Sequence, residues 1–354
     1  MNIKRLNQIL AGFPGSRVLV FGDFFLDQYL IIEDSLQEVS LETGLGAHQV
    51  VGIHNSPGAA GVVTSNLSAL DVQAVALGMI GVDGRGYDLK NGLLESGIDI
   101  SPLLELPEIM TPTYTKPMVR DSEGSEHEIE RLDIKNRKPL AASIEGQLIE
   151  RLKDLVQDCD GVIIVDHVPE RNCGVITDRV RDELASLALR YPEKFFLADS
   201  RKHMALFTKV IVKCNLSEAL GATGLADHAG PQVDLALAAS EILTQRTQRP
   251  VLITLGSKGI AVNEAGAAKL LPAVPVEGPI DIVGAGDSTI AGVTAALCAG
   301  ASLAEAAVVG NLVASITIQQ IGTTGTATRE QVSERFEVYK DVVDLGSLRP
   351  RTGS

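Results

Sequence analysis

The chain has 354 residues, enough for one large α/β domain or two small ones with a substantial core. Its 45% hydrophobic and 21% charged residues are ordinary for a soluble globular protein, and 4% aromatic content without tryptophan argues against aromatic platforms for carbohydrate or single-stranded nucleic acid. A formal charge of −14 argues against a nucleic-acid partner, so any bound anion must meet positive potential made locally by helix N-termini, a few lysines or arginines and bound cations.

The first fifteen residues mix Lys4, Arg5, Asn7 and Gln8 with isolated leucine and isoleucine, which is not the continuous apolar core of a signal peptide. No run approaches the ~18 apolar residues of a membrane span. Short apolar runs at 18–21, 75–80, 162–165, 195–198, 210–212 and 251–255 are predicted as buried strands. Between and after them, helices are predicted at about 59–69, 86–95, 143–157, 174–190, 233–245, 285–299 and 303–319, with one more surface helix at 329–341. This alternation is the rhythm of right-handed βαβ units and predicts a doubly wound, mostly parallel α/β sheet flanked by helices. Two regions break it: 28–56, and 110–134, where alternating strands flank a turn at 121–125. Both are placed together as a small antiparallel β lid over the sheet's C-terminal edge, inserted in a single domain spanning 1–354. Residues 346–354 are expected as a frayed tail. Cys159, Cys173, Cys214 and Cys298 are scattered, without a zinc or disulfide spacing, and fit a reducing, cytoplasmic setting.

Chemistry-bearing segments follow several predicted strands. After the first comes Gly22-Asp23-Phe24-Phe25-Leu26-Asp27, at a strand C-terminus where open α/β sheets bind ligands. There Asp27 grips a hydroxylated ligand, or Asp23 or Asp27 caps a turn. Pro57-Gly58-Ala59-Ala60-Gly61-Val62 precedes a helix, and Gly78-Met79-Ile80-Gly81-Val82-Asp83 reads as a strand end with an N-capping Asp83. Asp166 closes another strand and is expected to face the same pocket. Asn215-Leu216-Ser217-Glu218 follows the next, with a helix N-cap as the local alternative for Asn215. Thr254-Leu255-Gly256-Ser257-Lys258-Gly259 supplies glycines that let backbone approach a ligand.

The most informative stretch is Asp281-Ile282-Val283-Gly284-Ala285-Gly286-Asp287, where a Gly-Ala-Gly turn runs into an apolar helix. Small residues permit close approach of a phosphate, and free N–H groups of Ala285, Gly286 and Asp287 at the helix start point toward negative charge. Asp287 then stands where a base can act. Read without the other segments, the turn is equally a tight strand-to-helix connection.

Taken in order over roughly residues 17–328, these segments resemble the motifs of the ribokinase-like (phosphofructokinase B type) carbohydrate kinases. The 281–287 string is similar to that family's Asp-Thr-x-Gly-Ala-Gly-Asp signature, with Ile282 in place of threonine. The resemblance implies Asp287 as the base that takes the proton of a sugar hydroxyl and Gly284, Ala285 and Gly286 as the anion hole. It implies Asp27, Gly58, Ala59 and Asp166 at the sugar, Asn215, Glu218, Thr254, Gly256 and Gly259 around the nucleotide, and Asn311 on the adenine side unless it is ordinary helix surface. Glu218 would organise Mg²⁺ through water, ATP would be the donor, and a homodimer through the lid is implied. A monovalent cation behind the 281–283 strand end, as in some relatives, is left open.

Within the family, Gly22 to Asp27 looks like the Gly-Asp-x-x-Leu-Asp stretch of bacterial heptose-phosphate kinases. That points to a sugar or sugar-phosphate acceptor such as a heptose 7-phosphate, with Lys116, Arg120 and Arg131 either meeting its phosphate or serving as exposed strand charges. Two departures stand out. Val62 occupies the place of a sugar-contacting asparagine, with Asn66 one helical turn on as substitute or surface residue, and Asp166 is followed by His167-Val168-Pro169-Glu170-Arg171 rather than an aromatic, small-residue, Lys-Gly run. The nucleotidyltransferase domain that accompanies some heptose kinases is not expected here. A catalytically silent sugar- or nucleotide-binding member is the alternative from a different class.

Overall fold

The computed structural model describes residues 1–121, 124, 126–322 and 324–340. The expected tail at 346–354 and most of the turn at 121–125 lie outside the described residues.

The main sheet has eight strands in the order Ala267–Leu271, Ile260–Glu264, Val251–Thr254, Ile211–Asn215, Phe195–Ser200, Gly161–Asp166, Arg17–Gly22 and Gln73–Leu77. The six from Val251–Thr254 to Gln73–Leu77 run parallel, with Leu19 opposite both Val162 and Val75. Their apolar runs arise because both faces are covered: Val18 and Val20 point into one core, Leu19 and Phe21 into the other. The first core takes helices Ala60–Ala69, Ala285–Cys298 and Leu303–Thr317, and the second takes Ala142–Leu155, Asp178–Arg190 and Gln232–Thr247.

The two edge strands, Ile260–Glu264 and Ala267–Leu271, are antiparallel additions that the sequence reading did not place. The outer one alternates exposed and half-buried residues and so lacks the continuous apolar run of a central strand. Helix Ile3–Gly12 also went unplaced; it is capped by Asn2 and buries Leu6, Ile9 and Leu10 against the first core.

A second sheet lies in the order Glu126–Glu128, Thr113–Arg120, Phe24–Glu33, Val50–Ala59, with Leu132–Ile134 pairing Thr113–Arg120. Phe24–Glu33 runs antiparallel to Val50–Ala59 but parallel to Thr113–Arg120, so this sheet is mixed rather than wholly antiparallel. Asp23 alone separates the first strand of the main sheet from Phe24–Glu33, and Val50–Ala59 leads directly into helix Ala60–Ala69. The second sheet is therefore tied at two points to the C-terminal edge of the first.

Candidate active site

Helix Ala285–Cys298 begins at Gly284, whose φ of 78° is the left-handed conformation that glycine adopts without strain. Its chain lies against Val62 and Thr324: a Cβ at 284 would sit 3.3 Å from Val62 Cγ1. Thus the valine found where an asparagine was expected packs under the turn. The Ala285 amide donates to Ile282 O at 3.2 Å, so it is not a free donor as expected; the amides of Gly286 and Asp287 have no acceptor among the described residues.

Beneath the turn lies a cluster of charges contributed by three strand ends. Lys213 Nζ donates to Asp199 Oδ2 at 2.5 Å, with both side chains almost fully buried. A Cβ at 286 would meet Lys213 Nζ at 2.7 Å, so glycine at this position makes room for the ammonium. His167 Nε2 stands 3.9 Å from Asp199 Oδ1. One ring nitrogen of His167 and one carboxylate oxygen each of Asp199 and Asp287 lie within 4.8 Å of one another.

The electrostatics follow from this crowding. Burial pushes the Asp287 carboxyl above its ordinary range, and Asp199 adds to the push while His167 and Lys213 oppose it. Burial works against ionised Asp199 too, but Lys213 and His167 outweigh it and hold Asp199 below the usual carboxylate range. Burial likewise opposes charge on His167 and Lys213, yet their acidic neighbours raise both. Asp287 is thus the proton-seeking carboxylate of the cluster and Asp199 the fixed anion.

On the acceptor side, Asp27 and Gly58 are brought together: strand pairing sets Phe25 opposite Gly58, and a Cβ at 58 would meet Asp27 Oδ2 at 2.5 Å. Burial raises Asp27, opposed by Lys116, whose Nζ is 3.5 Å away and also donates to Tyr29 Oη at 3.0 Å. Ala59 holds φ 52° at the helix start. Arg131 is exposed, pairs with Asp133 at 2.8 Å and lies over the Tyr114 ring, and Arg120 pairs with Glu126 at 2.7 Å, so both have partners within the second sheet. Arg201 is exposed and makes no ion pair among the described residues, and its charge acts on Asp27, Tyr114, His167 and Asp287.

Two carboxylates serve the scaffold. Asp23 accepts from the amides of His167 (2.8 Å), Val168 (3.0 Å) and Val175 (2.9 Å), which pins the loop after Gly161–Asp166 to the first strand. Asp166 departs from expectation: it is 2% exposed, and its Oδ2 accepts from Arg181 Nη2 at 3.0 Å and Ser200 Oγ at 2.8 Å, with His203 Nδ1 at 3.4 Å. It is spent on holding three elements together rather than turned to a ligand. Asn66 is neither a surface residue nor a substitute ligand, because it is fully buried and donates to Val62 O and Gly325 O.

On the nucleotide side, Asn215 and Glu218 form a reciprocal capping box at the start of helix Leu216–Thr223. Glu218 Oε2 accepts from Asn215 N at 2.8 Å; Oε1 has no partner among the described residues, and burial together with Asp199 raises the carboxyl. A single half-open carboxylate of this kind fits Mg²⁺, which keeps much of its water shell. Thr254 Oγ1 donates to Cys214 O at 3.4 Å, and Gly256 holds φ 56°. Gly259 has a structural reason of its own: φ is 105° and a Cβ would lie 1.9 Å from Leu271 O. Asn311 donates to Pro272 O at 3.1 Å from helix Leu303–Thr317.

Asp199, Lys213 and Arg201 were missed in the sequence. A signal existed: Lys213 interrupts the apolar strand Ile211–Asn215, and Asp199 stands near a strand's C-terminal end as Asp166 does. A charge inside a buried strand demands a partner, and the parallel register places Asp199 beside Lys213.

The pattern of the pfkB family carbohydrate kinases matches residues 18–329. The bifunctional protein HldE of Gluconobacter oxydans is 28% identical over 347 residues, which cover 97% of this chain and 68% of that protein. Its namesake in Trichlorobacter lovleyi is 28% identical over 343 residues, covering 96% and 67%. The chain therefore spans about two thirds of the length of these relatives. Among solved structures, the phosphofructokinase-2 of Escherichia coli in complex with substrates and products aligns with TM-score 0.67 and 17% identity, over 91% of this chain and 98% of that one. The ribokinase of Arabidopsis thaliana complexed with ribose and ATP aligns with TM-score 0.66 and 17% identity, again over 91% and 98%. At such identity the likeness is one of fold.

Proposed function

This chain belongs to the pfkB family of carbohydrate kinases and has a ribokinase-like fold, and from that premise we propose that it transfers the γ-phosphoryl group of ATP to a hydroxyl of a sugar phosphate, with a heptose 7-phosphate as the acceptor. The observation that carries this reading is the pairing of Asp287, a carboxylate raised by burial, with the open amides of Gly286 and Asp287 at a helix N-terminus. Asp287 takes the hydroxyl proton as the acceptor oxygen bonds to the γ-phosphorus, the bond from that phosphorus to the β,γ-bridging oxygen breaks with its electron pair leaving on ADP, and the turn stabilises the negative charge of the phosphoryl oxygens. Asp27, seated against Gly58, orients the acceptor hydroxyls. Arg201 meets the acceptor's phosphate, since Arg120 and Arg131 are paired within their sheet and Lys116 with Asp27. Glu218 would hold Mg²⁺ through water, and the ion would supply charge neutralisation at the ATP phosphates.

The second sheet acts as a lid on a single kinase domain, excluding water from the transfer. Two subunits pair through it in this reading. Its edge strand Val50–Ala59 exposes Val51 and Ile53 at 51% and 58%, and the neighbouring segment exposes Leu41 and Leu45. No helix among the described residues is long and apolar enough to cross a membrane.

ADP release with Mg-ATP against heptose 7-phosphate, ribose, fructose, fructose phosphates and nucleosides tests the reading, with Asp287→Asn measured beside the wild type. Turnover on heptose 7-phosphate that drops by ~10²-fold or more in the variant, with ATP affinity retained, is the expected outcome. Comparable turnover in the variant would refute Asp287 as the base. Sugar binding without ATP consumption would point instead to a silent member of the fold.

A further inference from the structure

We propose that a cavity at the N-terminal edge of the main sheet, the edge opposite the 284–287 turn, is a second ligand site, and that it takes a small phosphate monoester with an apolar body. The site stands apart from the kinase reading above. Phe195 lines this cavity, whereas Asp199, four residues on along the same strand, lies in the cluster beneath the turn, ~13 Å away at the rise of a strand.

The cavity has a volume of about 290 Å³, the size of a small-ligand pocket. It opens where strands Phe195–Ser200, Ile211–Asn215 and Val251–Thr254 begin and where helix Ala285–Cys298 ends. Phe195, Ile211, Leu297 and Leu303 give it an apolar floor, in which Phe195 and Ile211 are only half-buried. Lys194, Lys209 and Arg249 also line it, against one carboxylate, Glu264, which is exposed. Three cations against one carboxylate leave the lining two charges positive in a chain whose formal charge is −14, so the cavity concentrates a potential that the rest of the molecule opposes.

These cations are held in place by a hydrogen-bonded frame. Buried Thr247 donates from Oγ1 to Arg249 O at 2.9 Å and accepts from Arg249 N at 3.2 Å. The Lys209 amide donates to Thr247 O at 2.7 Å, and Arg249 Nε donates to Lys209 O at 3.2 Å. Lys209 sits at φ 62° and Gln248 at φ 56°, left-handed positions that glycine or asparagine more often fills, and Lys209 Nζ donates to Gln248 Oε1. Strained backbone of this kind persists where its surroundings fix it, and here it brings a lysine to the cavity. Lys194 Nζ gives two of its donors to Gln157 O and Cys159 O, at 2.8 and 2.6 Å. The fork of Arg249 is what stays open: neither Nη has an acceptor among the described residues. The start of helix Leu303–Thr317 is closed by the Ser302–Glu305 capping box, so the open donors belong to side chains.

Fork, charge and floor together select the ligand. A planar guanidinium matches the paired oxygens of a phosphate or a carboxylate. A phosphate monoester carries about −1.5 to −2 charges near neutrality and so balances the lining, which a carboxylate does only by half. The floor takes a ring or alkyl chain out of water, but it would strip the hydroxyls of a sugar of their partners.

Phenyl phosphate and inorganic phosphate are the probes, titrated by calorimetry into the wild type, Lys209→Asn and Arg249→Met. Asparagine accepts the left-handed backbone at 209 and removes the charge; Arg249→Met also loses the bond to Lys209 O, so circular dichroism melting accompanies both variants. The wild type is expected to bind phenyl phosphate saturably with Kd below ~1 mM, ~10-fold tighter than inorganic phosphate, and each variant to weaken phenyl phosphate by ~10-fold. If Arg249→Met does not fold, Lys209→Asn decides. Absence of saturable binding to the wild type, or binding that a folded cavity variant keeps at full strength, would overturn the site. Equal affinity for the two probes would overturn the ligand class, because the apolar floor would then contribute nothing.

Discussion

Replacing Asp23 with asparagine changes stability by an amount that depends on pH, and both contributions can be worked from the structure. Asp23 Oδ2 serves His167 and Val168, and Oδ1 serves Val175. An asparagine whose oxygen takes the Oδ2 place keeps two of these bonds and sets its NH₂ against the Val175 amide. One buried N–H left unpaired costs about 1–3 kcal/mol. Against this stands the cost of the charge. Burial, then the neighbouring Asp166, raises the Asp23 carboxyl from 3.8 to about 6. A shift of about two pH units corresponds to roughly 3 kcal/mol.

The sign follows from the direction. The folded value is raised, so the favourable contribution is complete below about pH 3.8 and is lost as pH rises through about 6, leaving ionised Asp23 a burden on the fold near neutrality. Asparagine does not titrate. The variant is therefore expected to be about 1–3 kcal/mol less stable than wild type near pH 4, with the difference shrinking by roughly 3 kcal/mol toward pH 7. Urea unfolding followed by circular dichroism, on both proteins across that range, measures it. A penalty that is constant or that grows with pH would refute the argument, because it would mean that the three amides solvate the ionised carboxylate well enough to cancel its burial.

Gly259→Ala is expected to destabilise the fold by more than ~3 kcal/mol, because it puts a Cβ 1.9 Å from Leu271 O at a φ of 105°; an unchanged melting temperature would contradict it. Arg181→Met strands the buried Asp166 carboxylate and should cost about 3–5 kcal/mol, partly restored by adding Asp166→Asn, as read by chemical denaturation. If the single variant lies within ~1 kcal/mol of wild type, Asp166 is not the anchor described. Light scattering is expected to report a dimer at micromolar concentration and a monomer for Ile53→Asp on the exposed edge of the second sheet; a monomeric wild type would remove the lid interface.

Residues such as Val18, Leu19, Val20 and Phe21 carried the fold legibly, because a strand buried on both faces must be apolar throughout and the helices between such strands must bury one stripe. The 281–287 turn was legible for a related reason: a left-handed Gly284 and a Gly286 against which Lys213 lies leave little choice of residue. The edge strands were not, since Ala267–Leu271 buries only part of one face and imposes a weaker pattern.

Side-chain roles divided differently. Asp23, Asp27 and Asp166 are alike in sequence, each an aspartate in a segment that closes or follows a predicted strand. Tertiary packing makes Asp23 a loop anchor, sets Asp27 beside Gly58 and Lys116, and turns Asp166 inward onto Arg181 and Ser200. Asn66 was likewise moved from a helix surface to the interior, and Lys213 found Asp199 only because two successive strands lie in parallel register. Backbone geometry leaves its mark on the residue types along the chain. The partner that a polar side chain finds depends on which distant strand lies beside it, and that is fixed only when the sheet closes.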